Sequence, residues 1–347
     1  MRKQIQLRDK IIGEEAPIFV IAEIGVTCNY DLEMAKALIG TVRDSGADAV
    51  KFIFWFPDEI MSDRTVLYDY DTTDGKKTEN MYDMLNSLRF TLDEWKELKG
   101  YADDCGVVMF STVNSPSGIT YAESVGLEAY KLSSWDYNYL PLWRRIASLG
   151  KPMLIDTGPV STLEVAKVLQ VMKDEGNDQC VLLHCFHTQS PHEMNMRAIP
   201  YMRRAFDCLV GFSAEGQEDQ NDIMAVTLGA KVIEKRLTLD RELTGHHHIL
   251  SKEPEEFKRY VAMIRGVDSA LGRYELRPSP NDLAERKKWF RHLVAARDVA
   301  EGTVLTEEML DGKRPENGIS PEYMNHFIGR PIRRSLRADE AISWDDV

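Results

Sequence analysis

The sequence has no long hydrophobic run. Nowhere in its 347 residues do about 18 apolar residues follow one another, as a transmembrane helix requires. Its first residues, MRKQIQLRDKII, also lack the apolar segment of a secretory signal peptide. We therefore predict no membrane contact and no secretory leader.

Cysteine is scarce. The five cysteines are an odd number, are scattered along the chain, and include no C-x-x-C pair. This pattern fits a reducing compartment better than a disulfide framework. We therefore predict a cytoplasmic location.

Basic residues are also fewer than acidic ones. The chain has 43 Lys and Arg against 56 Asp and Glu, a formal net charge of −13. Nucleic-acid binding gains its affinity from neutralising phosphates, so we predict no nucleic-acid partner. A local basic pocket on an acidic protein can still bind a small anion.

Short apolar runs alternate with amphipathic stretches along most of the chain. Continuous apolar runs are typical of parallel strands buried on both faces. The eight runs are 17–23, 48–54, 107–112, 129–134, 152–158, 180–185, 209–214 and 231–236, and a last helix is expected near 253–272. This alternation predicts an α/β protein with a (β/α)8 TIM barrel. The alternative is a doubly wound open sheet, but no G-x-G-x-x-G follows the first strand.

Two segments depart from this alternation. A polar, charged and aromatic insertion at 55–90 is either an active-site lid or a surface excursion. After the barrel, which we place at 1–275, a charged and Pro-rich linker is predicted at 276–286. We predict a small β-rich domain at 287–347.

Polar side chains stand at the ends of the predicted barrel strands. Reactive groups of such barrels lie at the carboxyl ends of their strands. The residues there are Glu23, Lys51, Thr112, Lys131, Ser134, His184, Ser213, Glu234 and Arg236. Two lysines with several hydroxyl groups indicate an anion site. The lysines need a partner when buried, which is either a phosphate or carboxylate ligand or the pair Glu23 and Glu234.

Histidines near these strands have a plainer interpretation. His184 is expected to be a hydrogen-bonded interior histidine, and Cys185 a small buried residue. The run 246–248 could supply metal ligands, but three successive residues do not all face one point. We therefore favour a surface or loop structure there.

Motifs across both predicted domains resemble the N-acetylneuraminate (sialic acid) synthase family. They are AEIG (22–25), GADAVKF (46–52), YKLSSWD (130–136), KPMLIDTG (151–158), LLHC (182–185), VGFS (210–213), LGAKVIEK (228–235), TLDRELTG (238–245), KRPENGI (313–319) and IGRPI (328–332). The C-terminal segment resembles the antifreeze-like (SAF) domain of that family. The shared order of these motifs carries the resemblance, since each one alone is weak.

The resemblance implies a transferase that condenses phosphoenolpyruvate with an open-chain amino sugar, joining carbon to carbon while water displaces phosphate. Phosphoenolpyruvate would be bound by Lys51, Thr112, Lys131, Ser134 and Ser213. Glu23, Glu234 and Arg236 would be the catalytic residues, and His247 and Arg314 would contact the acceptor. The family's homodimer exchanges its C-terminal domains, so Arg314 would reach into the partner's barrel.

The sequence also departs from the family pattern. Thr27-Cys28-Asn29-Tyr30 replaces N-H-N-G, and Ile53 replaces the glutamine of K-F-Q. His247 replaces the aspartate of G-P-D-H. The family's two metal-binding histidines are replaced by Glu215 and Arg236. We therefore predict no metal ligands, although the family uses manganese or magnesium, and we expect Arg236 to take the place of the ion.

Three functions are compatible with this pattern. The first is an active synthase with an altered acceptor, which the retained lysines and glutamates favour. The second is a homologue that binds phosphoenolpyruvate or a sugar acid with impaired catalysis, which the missing metal pair favours. The third is another barrel lyase acting on a 2-keto acid.

Overall fold

The computed structural model describes residues 1–73, 75–188, 190–213 and 216–347. Contacts between residues divide the chain into two compact units, Met1–Gly272 and Arg273–Val347. Within the described ranges, no helix is both long and apolar enough to cross a membrane.

The first unit is built around eight parallel strands that close into a barrel. The strands are β1 (Phe19–Glu23), β2 (Ala49–Ile53), β3 (Val108–Thr112), β4 (Tyr130–Leu132), β5 (Met153–Asp156), β6 (Cys180–His184), β7 (Leu209–Ser213) and β8 (Val232–Arg236). Neighbours in sequence pair in space, and β8 pairs with β1 to close the ring. The predicted (β/α)8 barrel is confirmed.

A helix follows every barrel strand and packs outside the ring. These helices are Leu32–Ser45, Leu92–Asp104, Pro116–Val125, Leu140–Ala147, Thr162–Asp174, Ala198–Phe206, Gln220–Thr227 and Pro254–Leu271. Local sequence sets several of their starts. Thr91 and Ser161 each form a capping box with the glutamate three residues later, satisfying backbone N–H groups that the helix leaves unpaired.

The inside of the barrel is a packed core. Inward-facing residues of the strands, such as Phe19, Phe110 and Leu183, are buried there. An N-terminal hairpin, Gln4–Leu7 paired with Lys10–Gly13, adds Ile5, Leu7 and Ile12 to the same cluster. The hairpin side chains help fill the barrel interior, which leaves the ends of the strands at the opposite face for chemistry.

The insertion after β2 has secondary structure of its own. It contains the short helix Pro57–Ile60, the antiparallel hairpin Leu67–Thr72 with Gly75–Asn80, and the helix Met81–Ser87. Met84, Leu85 and Leu88 from this insertion pack against Val26 in a separate apolar cluster. The insertion therefore has its own small core above the strand ends.

The second unit is small and has few regular elements. The helix Pro280–Trp289 is followed by the antiparallel strands His292–Ala295 and Leu310–Lys313. Short 3-10 helices lie at Glu307–Met309, Pro321–His326 and Trp344–Asp346. Nine buried apolar residues, including Leu293, Phe327 and Ile332, form its core.

The helix Pro280–Trp289 overlaps the predicted linker. It begins inside 276–286, where Ser279 caps it and Pro280 occupies its first turn. None of its residues is buried. A helix without a buried face has little hydrophobic periodicity, and this explains why the sequence pattern suggested a linker. The domain limits at 275 and 287 stay predictions.

Candidate active site

The strand ends surround a cavity of about 740 Å³ at the mouth of the barrel. Its lining includes Glu23, Lys51, Thr112, Ser134, Asp156, Ser213, Glu234, Arg236 and His247. Apart from Lys131 and Arg314, every residue to which a site role was assigned from the sequence lies on this surface. The size falls in the range of small-molecule sites.

The two lysines are held by carboxylates at the base of the cavity. Lys51 Nζ lies 3.5 Å from Glu23 Oε1 and 3.4 Å from Glu234 Oε1. Lys131 is 1% exposed, and its Nζ lies 2.9 Å from Asp156 Oδ1 and 2.7 Å from Glu234 Oε2. The buried lysines therefore have glutamate partners, which was one of the two alternatives from the sequence. The two carboxylates beside Lys131, Asp156 and Glu234, themselves line the cavity.

Glu234 connects the two lysines electrostatically. Burial alone would raise the pKa of Glu234, but Lys131 and Lys51 outweigh burial and lower it to about 2. Burial alone would lower the pKa of Lys131, yet Asp156 and Glu234 raise it above its ordinary value. Glu234 is therefore a carboxylate, and Lys131 a cation, at neutral pH. Ser213 adds a hydrogen bond, donated to Glu234 Oε1 at 3.2 Å.

Asp156 behaves differently from Glu234. Burial raises the pKa of Asp156, and the nearby Glu234 raises it further, against the opposing effect of Lys131. Two carboxylates that share one lysine cannot both be stabilised fully in their charged form. Asp156 is therefore the carboxylate of this pair that protonates first.

Arg236 and Glu23 form a second ion pair beside the lysines. Arg236 Nε donates to Glu23 Oε2 at 3.2 Å, and the backbone N–H of Gly25 donates to Glu23 Oε1 at 2.8 Å. Glu23 is 4% exposed, so both contacts hold a buried carboxylate in one orientation.

The loop after β8 contributes the histidine run to the site. His246 Nε2 lies 2.9 Å from Glu79 Oε1, and its ring centroid lies 3.9 Å from that of Tyr70. His247 has a left-handed backbone, with φ of 67°, and lines the cavity. Burial, assisted by Arg236, lowers the pKa of His247 well below its ordinary value, so its imidazole is neutral.

The other predicted histidines are structural. His184 Nε2 lies 2.8 Å from the Met194 carbonyl oxygen, which confirms an interior hydrogen-bonded histidine. His248 is 1% exposed, and its Nδ1 lies 2.7 Å from Thr238 Oγ1. The prediction of a surface or loop structure at 246–248 is thus partly right: His246 and His247 lie in a loop, but His248 begins the 3-10 helix His248–Leu250, and His246 and His248 are buried.

Sequence reasoning missed two acidic residues of the cavity. Asp156 ends β5 and Asp136 follows β4, and both line the cavity. Burial raises the pKa of Asp136 to about 6. Asp156 could have been found, because it is a carboxylate at the end of a predicted barrel strand.

A glycine two residues after Asp156 permits close packing. Gly158 has φ of 41°, and a Cβ at this position would collide with the Ser134 side chain. Glycine at this position, directly after Thr157, therefore allows the backbone to turn in close contact with Ser134.

Arg314 lies in the second unit. Its Nε donates to the Trp289 carbonyl oxygen at 2.7 Å, and its guanidinium carbon lies 5.6 Å from the centre of the Trp289 ring. The residue is exposed. Its predicted contact with the acceptor stays a prediction, as does its action on a partner subunit.

The residue at 236 does not fit the metal that the resemblance implies. A guanidinium has only donors and offers no lone pair to a cation, and Arg236 already donates to Glu23. Glu215, the other replacement, lies outside the described residues. Among the described residues, no group of three or more His, Cys, Asp or Glu side chains is arranged to hold a metal ion.

A closed (β/α)8 barrel with lysines, carboxylates and hydroxyl groups at its carboxyl face defines a barrel enzyme that acts on small anionic substrates. The NeuB family model matches residues 38–275 and the SAF domain model matches residues 290–347. The chain belongs to the NeuB family, and its C-terminal segment is a SAF domain.

Known proteins agree with this assignment. The chain is 32% identical to an uncharacterised protein of Methanocaldococcus jannaschii, over 99% of both chains. It is 31% identical to the N,N'-diacetyllegionaminic acid synthase of Legionella pneumophila, over 96% of both. The crystal structure of a spore coat polysaccharide biosynthesis protein of Bacillus subtilis matches with a TM-score of 0.66 and 27% identity, over 99% of both chains.

Membership has direct consequences for function. The resemblance to sialic acid synthases is confirmed, and so are the fold class and the assignment as a phosphoenolpyruvate-dependent transferase that forms carbon–carbon bonds. The chain is a homologue of nonulosonic acid synthases, with phosphoenolpyruvate and a sugar as the family's substrates. The acceptor sugar and the role of each site residue are not defined by membership.

Proposed function

We propose that this protein condenses phosphoenolpyruvate with an amino-sugar-type aldehyde other than N-acetylmannosamine, releasing phosphate and a nonulosonic acid. The observation that supports it most is that Lys51 and Lys131 share the carboxylate of Glu234 at a cavity lined by hydroxyl groups. Burial of an unpaired charge is costly, and the shared carboxylate allows both lysines to stay charged in a buried place. Charged lysines in turn make it easier for the cavity to bind an anionic ligand.

The phosphoenolpyruvate half consists of Lys51, Lys131, Thr112, Ser134 and Ser213. Lys51 contacts its two carboxylates at 3.4 and 3.5 Å, which are long distances for hydrogen bonds. Its ammonium donors therefore remain available to a phosphate or carboxylate in the cavity. Lys131 has three donors and two carboxylate partners, so one donor has no carboxylate partner, although Lys131 is not itself part of the cavity lining.

The catalytic half consists of Glu23, Glu234 and Arg236. Glu234 is ionised, so it can orient both lysines toward the substrate. Arg236 lines the cavity and stays protonated, so it can donate to the aldehyde oxygen as negative charge develops there. Glu23 holds the guanidinium in place for this role.

The acceptor half differs from one made for N-acetylmannosamine. Ile53 lines the cavity and offers no hydrogen bond where the family has an amide. His247 presents a neutral imidazole, whose Nδ1 is buried without a partner among the described residues. When the side chains that hydrogen-bond a substrate are replaced by others, the site prefers a different substrate.

A binding protein with impaired catalysis is the second proposal. Arg236 favours it, because its guanidinium donates to Glu23 and cannot coordinate the cation that the family uses. Loss of that cation would impair catalysis while Lys51 and the hydroxyl groups that line the cavity stay in place to bind phosphoenolpyruvate.

Incubation with phosphoenolpyruvate and a panel of amino sugars tests both proposals. Phosphate release together with a product whose mass combines both substrates supports the synthase. Binding of phosphoenolpyruvate without product for any aldehyde supports the binding protein instead. If N-acetylmannosamine is the best substrate of a broad panel, the proposal of an altered acceptor is wrong.

A further inference from the structure

We propose that the insertion after β2 forms a binding site for an apolar substituent of the acceptor, larger than an acetyl group. This inference rests on the proposed function, because it names the class of acceptor for the same cavity. It concerns the wall of the cavity that faces the insertion.

That wall is almost entirely apolar. Val26, Met84, Leu85 and Leu88 are buried in one cluster, and partly buried apolar residues pack against them. The members that also line the cavity are Val26, Ile53, Trp55, Ile60, Met61, Tyr68, Met81, Met84, Leu85 and Leu88. The Tyr68 hydroxyl and the Trp55 indole N–H are the polar side-chain groups of this set. A ligand that meets this wall finds few hydrogen-bond partners.

This composition selects against a polyol. A sugar hydroxyl that leaves water for an apolar wall loses its hydrogen bonds, and the loss opposes binding. A methylene group that makes the same transfer gains affinity, about fourfold per group when burial is complete. The wall therefore favours carbon chains or rings over hydroxylated carbons.

The apolar wall adjoins the charged base of the cavity. Lys51 and Ile53 both lie on β2, two residues apart, so their side chains leave the strand on the same side. The Tyr30 hydroxyl donates to the Ile53 carbonyl oxygen at 2.6 Å, which fixes the end of this strand. A single acceptor can therefore reach the cations with its reactive end and the wall with its substituent.

Asn114 also lines the cavity, and it has a buried polar atom. Its Oδ1 has no hydrogen-bond partner among the described residues. The indole of Trp55 is engaged with the Tyr30 hydroxyl: burial raises the pKa of Tyr30, and the Trp55 side chain lowers it. A buried acceptor suits the N–H of an amide, so an N-acyl group is a substituent that fits this cavity.

The insertion is attached to the barrel mouth by specific contacts. Glu79 of its hairpin pairs with His246 of the loop after β8, and Tyr70 packs on the same imidazole. Tyr68 lies 5.7 Å from His246, measured between ring centroids. These contacts hold the wall at one distance from the charged base, as a specificity site requires.

A series of acceptors that differ only in the acyl group tests the proposal. Mannosamine bearing N-acetyl, N-butanoyl, N-hexanoyl or N-benzoyl groups is reduced to the alditol, which cannot condense, and binding to the full chain is measured by calorimetry with phosphoenolpyruvate present. We expect affinity to rise by at least fivefold from acetyl to hexanoyl. Equal or falling affinity along the series would overturn the proposal.

Variants then locate the effect. Ile53→Gln and Met81→Gln place an amide on the wall, and each is expected to reduce the preference for hexanoyl over acetyl by at least threefold. Met224→Gln is the matched control, because Met224 is 43% exposed on the barrel surface. An unchanged preference in both wall variants would contradict the proposal even if one of them were poorly folded.

The same acceptors as free aldehydes separate this inference from the proposed function. Absence of phosphate release for every aldehyde, together with affinity that rises along the alditol series, would refute the synthase and support the apolar site. Phosphate release that is fastest with N-acetyl and slows with longer groups would support the synthase and refute the apolar site.

Discussion

Lys131 and Asp156 stand on neighbouring barrel strands and form an ion pair, with Nζ and Oδ1 2.9 Å apart. The lysine is a predicted ligand for phosphoenolpyruvate, so its carboxylate partner competes with the substrate. This competition makes binding sensitive to the protonation of Asp156.

Asp156→Asn is expected to bind phosphoenolpyruvate more tightly than the wild type at neutral pH, by about tenfold for a removed charge near the ligand. The pKa of Asp156 is raised, so the wild-type side chain takes up a proton as pH falls and the difference should shrink. Calorimetry on both proteins across the acidic range measures this difference in affinity. Protonation of the ligand affects both proteins equally, so it does not contribute to the difference. Asp44→Asn, at an exposed position, is the control. Weaker binding by Asp156→Asn at every pH would contradict the expectation.

Lys51→Ala and Lys131→Ala should each weaken phosphoenolpyruvate binding by about 1.5–3 kcal/mol, the range for a hydrogen bond to a charged group. Lys131→Ala should also lower stability, because it leaves Asp156 and Glu234 without their shared cation. Calorimetry gives the affinity and urea unfolding gives the stability. Lys167→Ala, on an exposed helix surface, should change neither. Unchanged affinity in both cavity variants would remove these lysines from the binding site.

Glu234→Gln should destabilise the protein by about 3–5 kcal/mol near neutral pH, because it leaves two buried lysines short of a partner. The ordinary pKa of 4.5 falls to about 2 in the fold, so the stabilisation by Glu234 is present above pH 4.5 and is lost as pH falls towards 2. The gap in unfolding free energy between the two proteins should therefore narrow over that range. Glu242→Gln, at an exposed position, serves as control. A gap that widens on acidification would refute the expectation.

The protein purified without chelator or tag is expected to contain no stoichiometric metal between positions 215 and 236, because Arg236 cannot coordinate a cation. Arg236→His should gain affinity for manganese, since a neutral imidazole is a metal ligand. Elemental analysis and manganese titration of both proteins measure this. Stoichiometric metal that is lost together with activity, and restored by manganese or magnesium, would show the expectation to be wrong.

We predict a homodimer in which Arg314 acts on the barrel of the partner subunit. Each of the variants Arg314→Ala and Lys131→Ala should be impaired alone, and mixing them should restore part of the activity, because some heterodimers contain one intact composite site. Sedimentation measures the dimer, and differently tagged chains verify that subunits exchange. No recovery after confirmed exchange would argue against action in trans.

Much of this molecule was predictable from sequence. The eight apolar runs and the helices between them predict the barrel, because burial on both faces requires continuous apolar strands. Glu23, Lys51, Thr112, Ser213 and Glu234 were identified from their positions at strand ends, and all line one cavity. Asp156 was overlooked although it obeys the same rule, and the helix Pro280–Trp289 was missed because it buries no face.

The sequence by itself determined which side chains reach the barrel mouth, because strand position and the alternation of side chains are local properties of the chain. Only the tertiary structure decided which of them pair. Closure of the barrel brings Glu234 of β8 between Lys51 of β2 and Lys131 of β4, and it brings Glu79 of the insertion to His246. These residues are far apart in the sequence, so their distances depend on the curvature of the whole sheet and on how the insertion folds back. No local pattern carries that information.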